Sequence, residues 1–241
     1  MGERTQDEHW EKAGWIGYGN ALFRSKRVER HVLTRQWEVA LDTARQLGID
    51  EAAAVLELGC GDGEFAAEIL GPRYRRVDAM DKSKAAIERA AARATGGNVR
   101  FSADDVTAYD YRPGDHWDGA FLIGFLHHVK PQAPSVIARL ARVSPKVVVM
   151  EPNGDNLIRK LLENFPSYRE AGEASFRLKE LVRIFEDSGY RLKARALINL
   201  FPPFTPDALF PILRAAEQVV ESSPVLRRLC SSYVLGFARE P

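Results

Sequence analysis

The sequence predicts an α/β fold built on a doubly wound, mainly parallel sheet. Three observations carry this reading. Short apolar runs alternate with helical patterns between residues 53 and 150, the rhythm of strands joined by crossover helices. The first run, Val55-Leu56-Glu57-Leu58, passes straight into Gly59-Cys60-Gly61-Asp62-Gly63 and then into an apolar helical pattern. Polar or glycine residues also follow each of the first five strands, the edge at which open parallel sheets bind ligands.

The elements follow in chain order. From Ser25 to Leu47, Val28, Leu33, Trp37, Ala40, Leu41, Ala44 and Leu47 recur mostly at three- and four-residue steps, which predicts an amphipathic helix with Gly48 as its C-cap. The first strand covers about 53–58, short and apolar enough to be buried on both faces. The helix after the glycine turn covers 63–70 and stops at Gly71-Pro72. A second strand, 75–80, ends on Asp81, and a helix over 82–94 is closed by Gly96-Gly97. Strands over 98–102, 117–124 and 146–150 follow, with a helix over 131–143 before the last of them. Helices over 156–165 and 176–188 and a strand over 190–200 come next. A helix over 206–219 then precedes a final strand over 233–238. Roughly 30 residues separate the last two strands, far more than a hairpin needs, so about 202–230 reads as a helical insertion. Residues 1–48 read as an N-terminal helical extension. Trp10, Trp15, Tyr18 and Phe23 suit it to act as a lid, or simply to pack on the body formed by residues 49–241.

Bulk properties narrow the function. With 241 residues, 45% apolar and 28% charged, the chain is long enough for one large domain with a full core. A net charge of +1 offers no basic face for nucleic acid. No apolar run is long enough to span a bilayer, so no stable membrane insertion is expected. The polar start has no signal-peptide core, and with only two cysteines, Cys60 and Cys230, the chain reads as cytoplasmic. No His/Cys/Asp/Glu cluster has metal-ligand spacing.

The glycine turn permits a close backbone approach by a ligand, and the helix start beyond it supplies unpaired N–H groups. Glu57, just before the turn, disfavours a phosphate there and favours a cation. The spacing is G-x-G-x-G, not the G-x-G-x-x-G of dinucleotide sites. Asp81, at the end of the second strand, suits both hydroxyls of a ribose, although an Asp there would also cap the next helix.

Together these residues resemble the class I S-adenosylmethionine-dependent methyltransferases, over about residues 53–153. Val55 to Phe65 is similar to that family's first motif, and Asp81 matches its ribose-binding acid. Asp105, with Asp104 as the alternative, matches the acid that contacts the adenine amino group. Leu126-His127-His128-Val129 resembles the fourth-strand motif of the small-molecule and quinone or lipid branch. The resemblance implies a Rossmann-like sheet of seven strands, the last antiparallel, with helices on both faces. It implies S-adenosylmethionine as cofactor, held by Glu57, Gly59, Cys60, Gly61, Gly63, Asp81, Lys82, Asp104, Asp105, Val106, Ile123 and Gly124. It also implies methyl transfer to O, N or C of a small metabolite, for instance in secondary metabolism. Quinone or lipid methylation is the alternative, as is a cofactor-binding module without catalysis. A homodimer is compatible with either.

His128 and, second, His127 are the candidate general bases, since histidine titrates near neutrality. Being adjacent, they point apart on regular backbone and cannot clamp one ion. Trp15, Tyr18, Phe125, Glu151 and Phe204 are the candidate acceptor pocket, aromatic enough for a planar or apolar substrate.

Overall fold

The computed structural model describes residues 23, 25–156, 159–160, 175–201 and 205–240. Seven strands form one sheet in the order β3-β2-β1-β4-β5-β7-β6. They are β1 (Ala54–Leu58), β2 (Arg76–Asp81), β3 (Val99–Ala103), β4 (Gly119–Ile123), β5 (Lys146–Pro152), β6 (Tyr190–Ile198) and β7 (Ser232–Arg239). β1 to β5 pair in parallel, whereas β7 runs antiparallel between β5 and β6. The chain winds outward from β1 to β3, then returns to place β4 on the other side of β1. The switch in winding direction therefore lies between β1 and β4, where the crevice of a doubly wound sheet opens.

Each strand of the centre is buried on both faces because helices cover both. Leu56, Leu58, Leu122, Val147 and Val149 pack with α3 (Ala133–Leu140) and α4 (Leu178–Asp187) on one side. Val55, Val77, Phe121 and Val148 pack with α1 (Lys26–Gln46) and a π-helical stretch (Phe65–Leu70) on the other. That stretch differs from the α-helix expected at 63–70: Gly71 donates its N–H to the Ala66 carbonyl five residues back, at 2.8 Å. α2 (Lys84–Arg93) is shorter than expected, because Ser83, not Asp81, is its N-cap, accepting from the Ala86 N–H at 3.2 Å.

α1 is one of the sheet's covering helices, with Val39, Ala40 and Ala44 in the shared core. Its buried stripe is rotated by about one residue from the periodic one: Val32, Gln36, Val39 and Thr43 are inside, while Leu33 and Trp37 flank them. The rotation lets Gln36 reach Ser232 Oγ at the start of β7, at 3.3 Å.

Between β6 and β7 the chain forms a 3-10 turn (Asp207–Leu209), α5 (Phe210–Ser222) and a second 3-10 turn (Leu226–Leu229). The insertion leaves the carboxyl end of β6 and returns to the start of antiparallel β7. Ile198 pairs with Ser232, and Ser232 with Pro152, so the insertion rises from the same rim as the end of β5. Most of the expected helix over 156–165 lies outside the described residues, as do Trp10, Trp15, Tyr18 and Phe204.

Candidate active site

The rim is built from the strand ends outward. After Leu58 the chain turns through Gly59, Gly61 and Gly63, all with positive φ (72°, 53° and 75°). Gly59 and Cys60 both donate to the Met80 carbonyl, at 2.8 and 3.1 Å, which ties the turn to the end of β2. The glycines serve different ends. A Cβ on Gly59 would lie 2.1 Å from Phe125 Cδ2, so this glycine admits a neighbouring side chain. A Cβ on Gly61 would meet nothing within 4 Å, so this glycine faces open space. Phe125, from the loop after β4, thus closes over the turn after β1 and joins the two sides of the switch point.

Asp81 holds the turn in shape. Its Oδ2 accepts the Gly61 N–H at 2.9 Å and its Oδ1 accepts the Ser83 N–H at 2.9 Å. A carboxylate has about four acceptor sites, so two bonds do not saturate it. Glu57 lies in the strand below, 3% exposed, and its Oε2 has no hydrogen-bond partner. Burial, then the negative charges of Asp81 and Asp62, push its carboxyl well above the usual carboxylate range. The same burial, with Glu57 and Asp81 nearby, pushes the Cys60 thiol up, which makes it a packing group and not a nucleophile. Asp104 is pinned by its N–H to the Asp81 carbonyl at 3.0 Å, next to the ribose candidate. Asp105 is exposed, and its Oδ1 accepts from Thr107 N and Thr107 Oγ1 at 2.8 and 2.7 Å, capping a turn. Lys82 is exposed beside Asp81, and Val106 is buried in the core just past Asp105. Ile123 ends β4, and Gly124 donates to the Met150 carbonyl at 2.8 Å.

The other half of the rim is organised around Glu151. It is fully buried at the end of β5, and its carboxylate takes three donors. Leu126 N–H donates to Oε1 at 2.7 Å, and His127 donates to Oε2 from its N–H at 3.2 Å and from Nδ1 at 2.8 Å. Glu151 therefore caps the 3-10 turn Leu126–Val129 and fixes His127, whose Nδ1 carries the proton. The expectation that Glu151 lines the acceptor pocket is thereby corrected, since its oxygens are consumed inside. The expectation that the two histidines point apart is also corrected. On the 3-10 turn their rings approach to 3.9 Å between centroids, because this backbone lacks the alternation of a strand. His127 is buried and His128 half-buried. Among the described residues no group of three or more His, Cys, Asp or Glu is placed to hold a metal ion.

Of the aromatics flanking the insertion, Phe201 is core. It packs with Val28, Val32 and Phe210, and the His31 ring meets it edge-on at 4.9 Å. The pairing of Glu151 with the 126–127 turn was not readable from the sequence, because 24 and 25 residues separate the partners and neither carries a local signature. A cleft of about 450 Å³ beside the rim, lined by Asn153, Arg195, Arg227, Arg228 and Tyr233, was equally hidden.

Residues 55–146 match the family model described as a methyltransferase domain. No curated protein sequence matches the chain. Among solved structures, the chain is similar to the magnesium protoporphyrin IX methyltransferase of Synechocystis PCC 6803, crystallised with S-adenosylhomocysteine. They are 17% identical with a TM-score of 0.64, over 98% of this chain and 95% of that one. It is similar to the N-methyltransferase NodS of Bradyrhizobium japonicum WM9, also bound to S-adenosylhomocysteine: 15% identical, TM-score 0.63, over 98% and 99%. It is also similar to the [4+2]-cyclase SpnF, 16% identical with a TM-score of 0.60, over 84% and 80%. At these identities the likeness is one of fold. The matched residues run from β1 to the start of β5, so the methyltransferase-domain match covers most of the parallel part of a seven-stranded sheet whose fold these structures share.

Proposed function

We propose that this chain binds S-adenosylmethionine across the carboxyl ends of β1 to β3 and transfers its methyl group to a small, apolar or aromatic acceptor held at the ends of β4 and β5. The observation that carries this is Glu57. A buried carboxylate with an unpartnered oxygen costs stability, unless a cation completes it. Open space above Gly61, within reach of Asp81, gives a nucleoside a place to lie. The residues fit the cofactor's amino group at Glu57, its ribose hydroxyls at Asp81, and its adenine beside Asp104 or Asp105. Lys82, Val106, Ile123 and Gly124 are the proposed flanking walls. The magnesium protoporphyrin and NodS methyltransferases, crystallised with the demethylated product, support the choice of cofactor.

When bound, the cofactor supplies a methyl group already activated by a sulfonium. What remains for the chain is to place a nucleophile in line at roughly 3 Å and to exclude water. Phe125, lying over Gly59 between the two halves, suits the second task. His128 is the proposed base where the acceptor arrives protonated. Glu151 holds His127, and His127 backs the His128 ring, so both act as positioning residues.

Isothermal calorimetry with S-adenosylmethionine, S-adenosylhomocysteine and NAD tests the first step. We expect the two sulfur nucleotides to bind and NAD to fail; silence from both would sink the reading. Because a [4+2]-cyclase shares the fold, turnover needs its own assay. With an acceptor in hand, His128→Ala should lower kcat at saturating cofactor by roughly 10²-fold or more if it is the base. A loss of only a few-fold would leave placement alone as the mechanism.

A further inference from the structure

Among the described residues, every large hydrophobic side chain that stands exposed belongs to the insertion: Leu209, Ile212, Val219, Val225, Leu226 and Leu229. Ile212, Val219 and Val225 are 67%, 62% and 71% exposed. α5 is in this sense inverted, because its acids turn inward. Glu217 accepts the Leu200 N–H at 3.2 Å and pairs with His31 at 2.8 Å, while Glu221 accepts the Asn199 N–H at 3.0 Å and pairs with Arg35 at 2.8 Å. Ile212 and Val219 are left on the outward surface, beside the polar Arg214 and Gln218.

The turn that follows adds charge of one sign. Arg227 and Arg228 stand between Leu226 and Leu229, which share one face because residues three apart eclipse in a 3-10 helix. With Arg195 of β6 they line the cleft beside the rim, and among the described residues none of the three forms an ion pair. Its one acid, Asp155, is occupied by the Tyr233 hydroxyl at 2.6 Å and the Leu178 N–H at 3.0 Å. Unpaired guanidinium groups next to exposed leucines complement a surface that is anionic at its face and apolar beneath.

We propose that the insertion is a peripheral docking surface for an anionic lipid bilayer. Headgroup phosphates meet Arg195, Arg227 and Arg228, and Val225, Leu226 and Leu229 enter the headgroup–acyl boundary. A water-soluble anion would use the arginines and leave the apolar side chains unexplained, whereas a bilayer accounts for both. No helix among the described residues is long and apolar enough to cross a membrane, so the contact is superficial. The surface rises from the rim beside β5, which sets the proposed acceptor end against the lipid. Binding to vesicles needs neither cofactor nor acceptor, so it stands or falls apart from the methyl-transfer reading.

Flotation of the full chain with phosphatidylcholine vesicles, with and without phosphatidylglycerol, tests the proposal. We expect flotation with the phosphatidylglycerol vesicles and a loss of it at high salt. Arg227→Ala/Arg228→Ala should lower partitioning about tenfold or more, and Leu226→Ser/Leu229→Ser comparably. These side chains are at the surface, so melting temperatures should hold; Arg195→Ala is a further variant in a separate element. Absence of flotation at low salt overturns the proposal, as does flotation that none of the variants weakens. Displacement from vesicles by millimolar inorganic phosphate would assign the cleft to a soluble anion instead. A dimer in sedimentation equilibrium that Leu226→Ser/Leu229→Ser dissociates would assign the face to a second copy of the chain.

Discussion

Two buried carboxylates stand at the ends of neighbouring parts of one sheet, and their surroundings are opposite. Glu57, at the end of β1, has an oxygen with no partner, and the charges that act on it are the negative ones of Asp81 and Asp62. Glu151, at the end of β5, accepts three hydrogen bonds from a single turn. The chain tolerates the first arrangement at a cost in stability and gains rigidity from the second. Burial alone therefore does not distinguish a binding group from a scaffold group. The count of satisfied lone pairs does, and under the proposed function it puts recognition in the β1–β3 half and support in the β4–β5 half.

This contrast can be broken by substitution. The largest effect is expected at Glu151. Glu151→Ala removes the acceptor of three buried donors, and we expect a loss of about 3–5 kcal/mol in urea denaturation. A loss below 1 kcal/mol would mean that the turn is held by something else. Next come the glycines. Gly59→Ala adds left-handed strain to a clash with Phe125 and should cost about 2–4 kcal/mol. Gly61→Ala meets only the strain, about 1–2 kcal/mol, yet should block the cofactor. Calorimetry beside thermal melts separates the two; a Gly61→Ala chain that binds normally would move the cofactor away from this turn.

The sharpest effect concerns Glu57. Its raised pKa means that the native chain keeps a proton which the unfolded chain releases near the ordinary carboxylate value. Stability from this group is fully present below that value and is lost as pH rises towards the folded one. Glu57→Gln should therefore flatten the fall with pH and raise the melting temperature of the cofactor-free protein near neutrality. The same change should weaken S-adenosylmethionine by about 1–3 kcal/mol, since a charged partner of its amino group is gone. Both changes in the same direction would show that Glu57 is a scaffold group like Glu151.

The site divides along the same line in what the sequence made legible. Glu57, the alternate glycines and Asp81 lie within one strand–turn–helix–strand unit, where spacing translates directly into geometry. Leu126 to His128 could be located, but not their packing. The adjacent histidines read as diverging, and only the 3-10 turn under Glu151 brings their rings to 3.9 Å. Glu151 itself reads as a polar residue at a strand end. Its three donors come from a loop more than 20 residues away, and no local pattern records such a pairing.

The strand–helix alternation by itself determined the parallel part of the sheet, the rim at its strand ends and the glycine turn on that rim. These follow from periodicity and local backbone chemistry, which act over a few residues. The tertiary structure alone decided which acid was satisfied and which was left waiting. It also decided that α1 covers the sheet, and that α5 turns its acids inward and Ile212 and Val219 outward. Those outcomes depend on which distant backbone groups need a partner, here the N–H groups of Asn199 and Leu200, and that need arises only once the strands are in place.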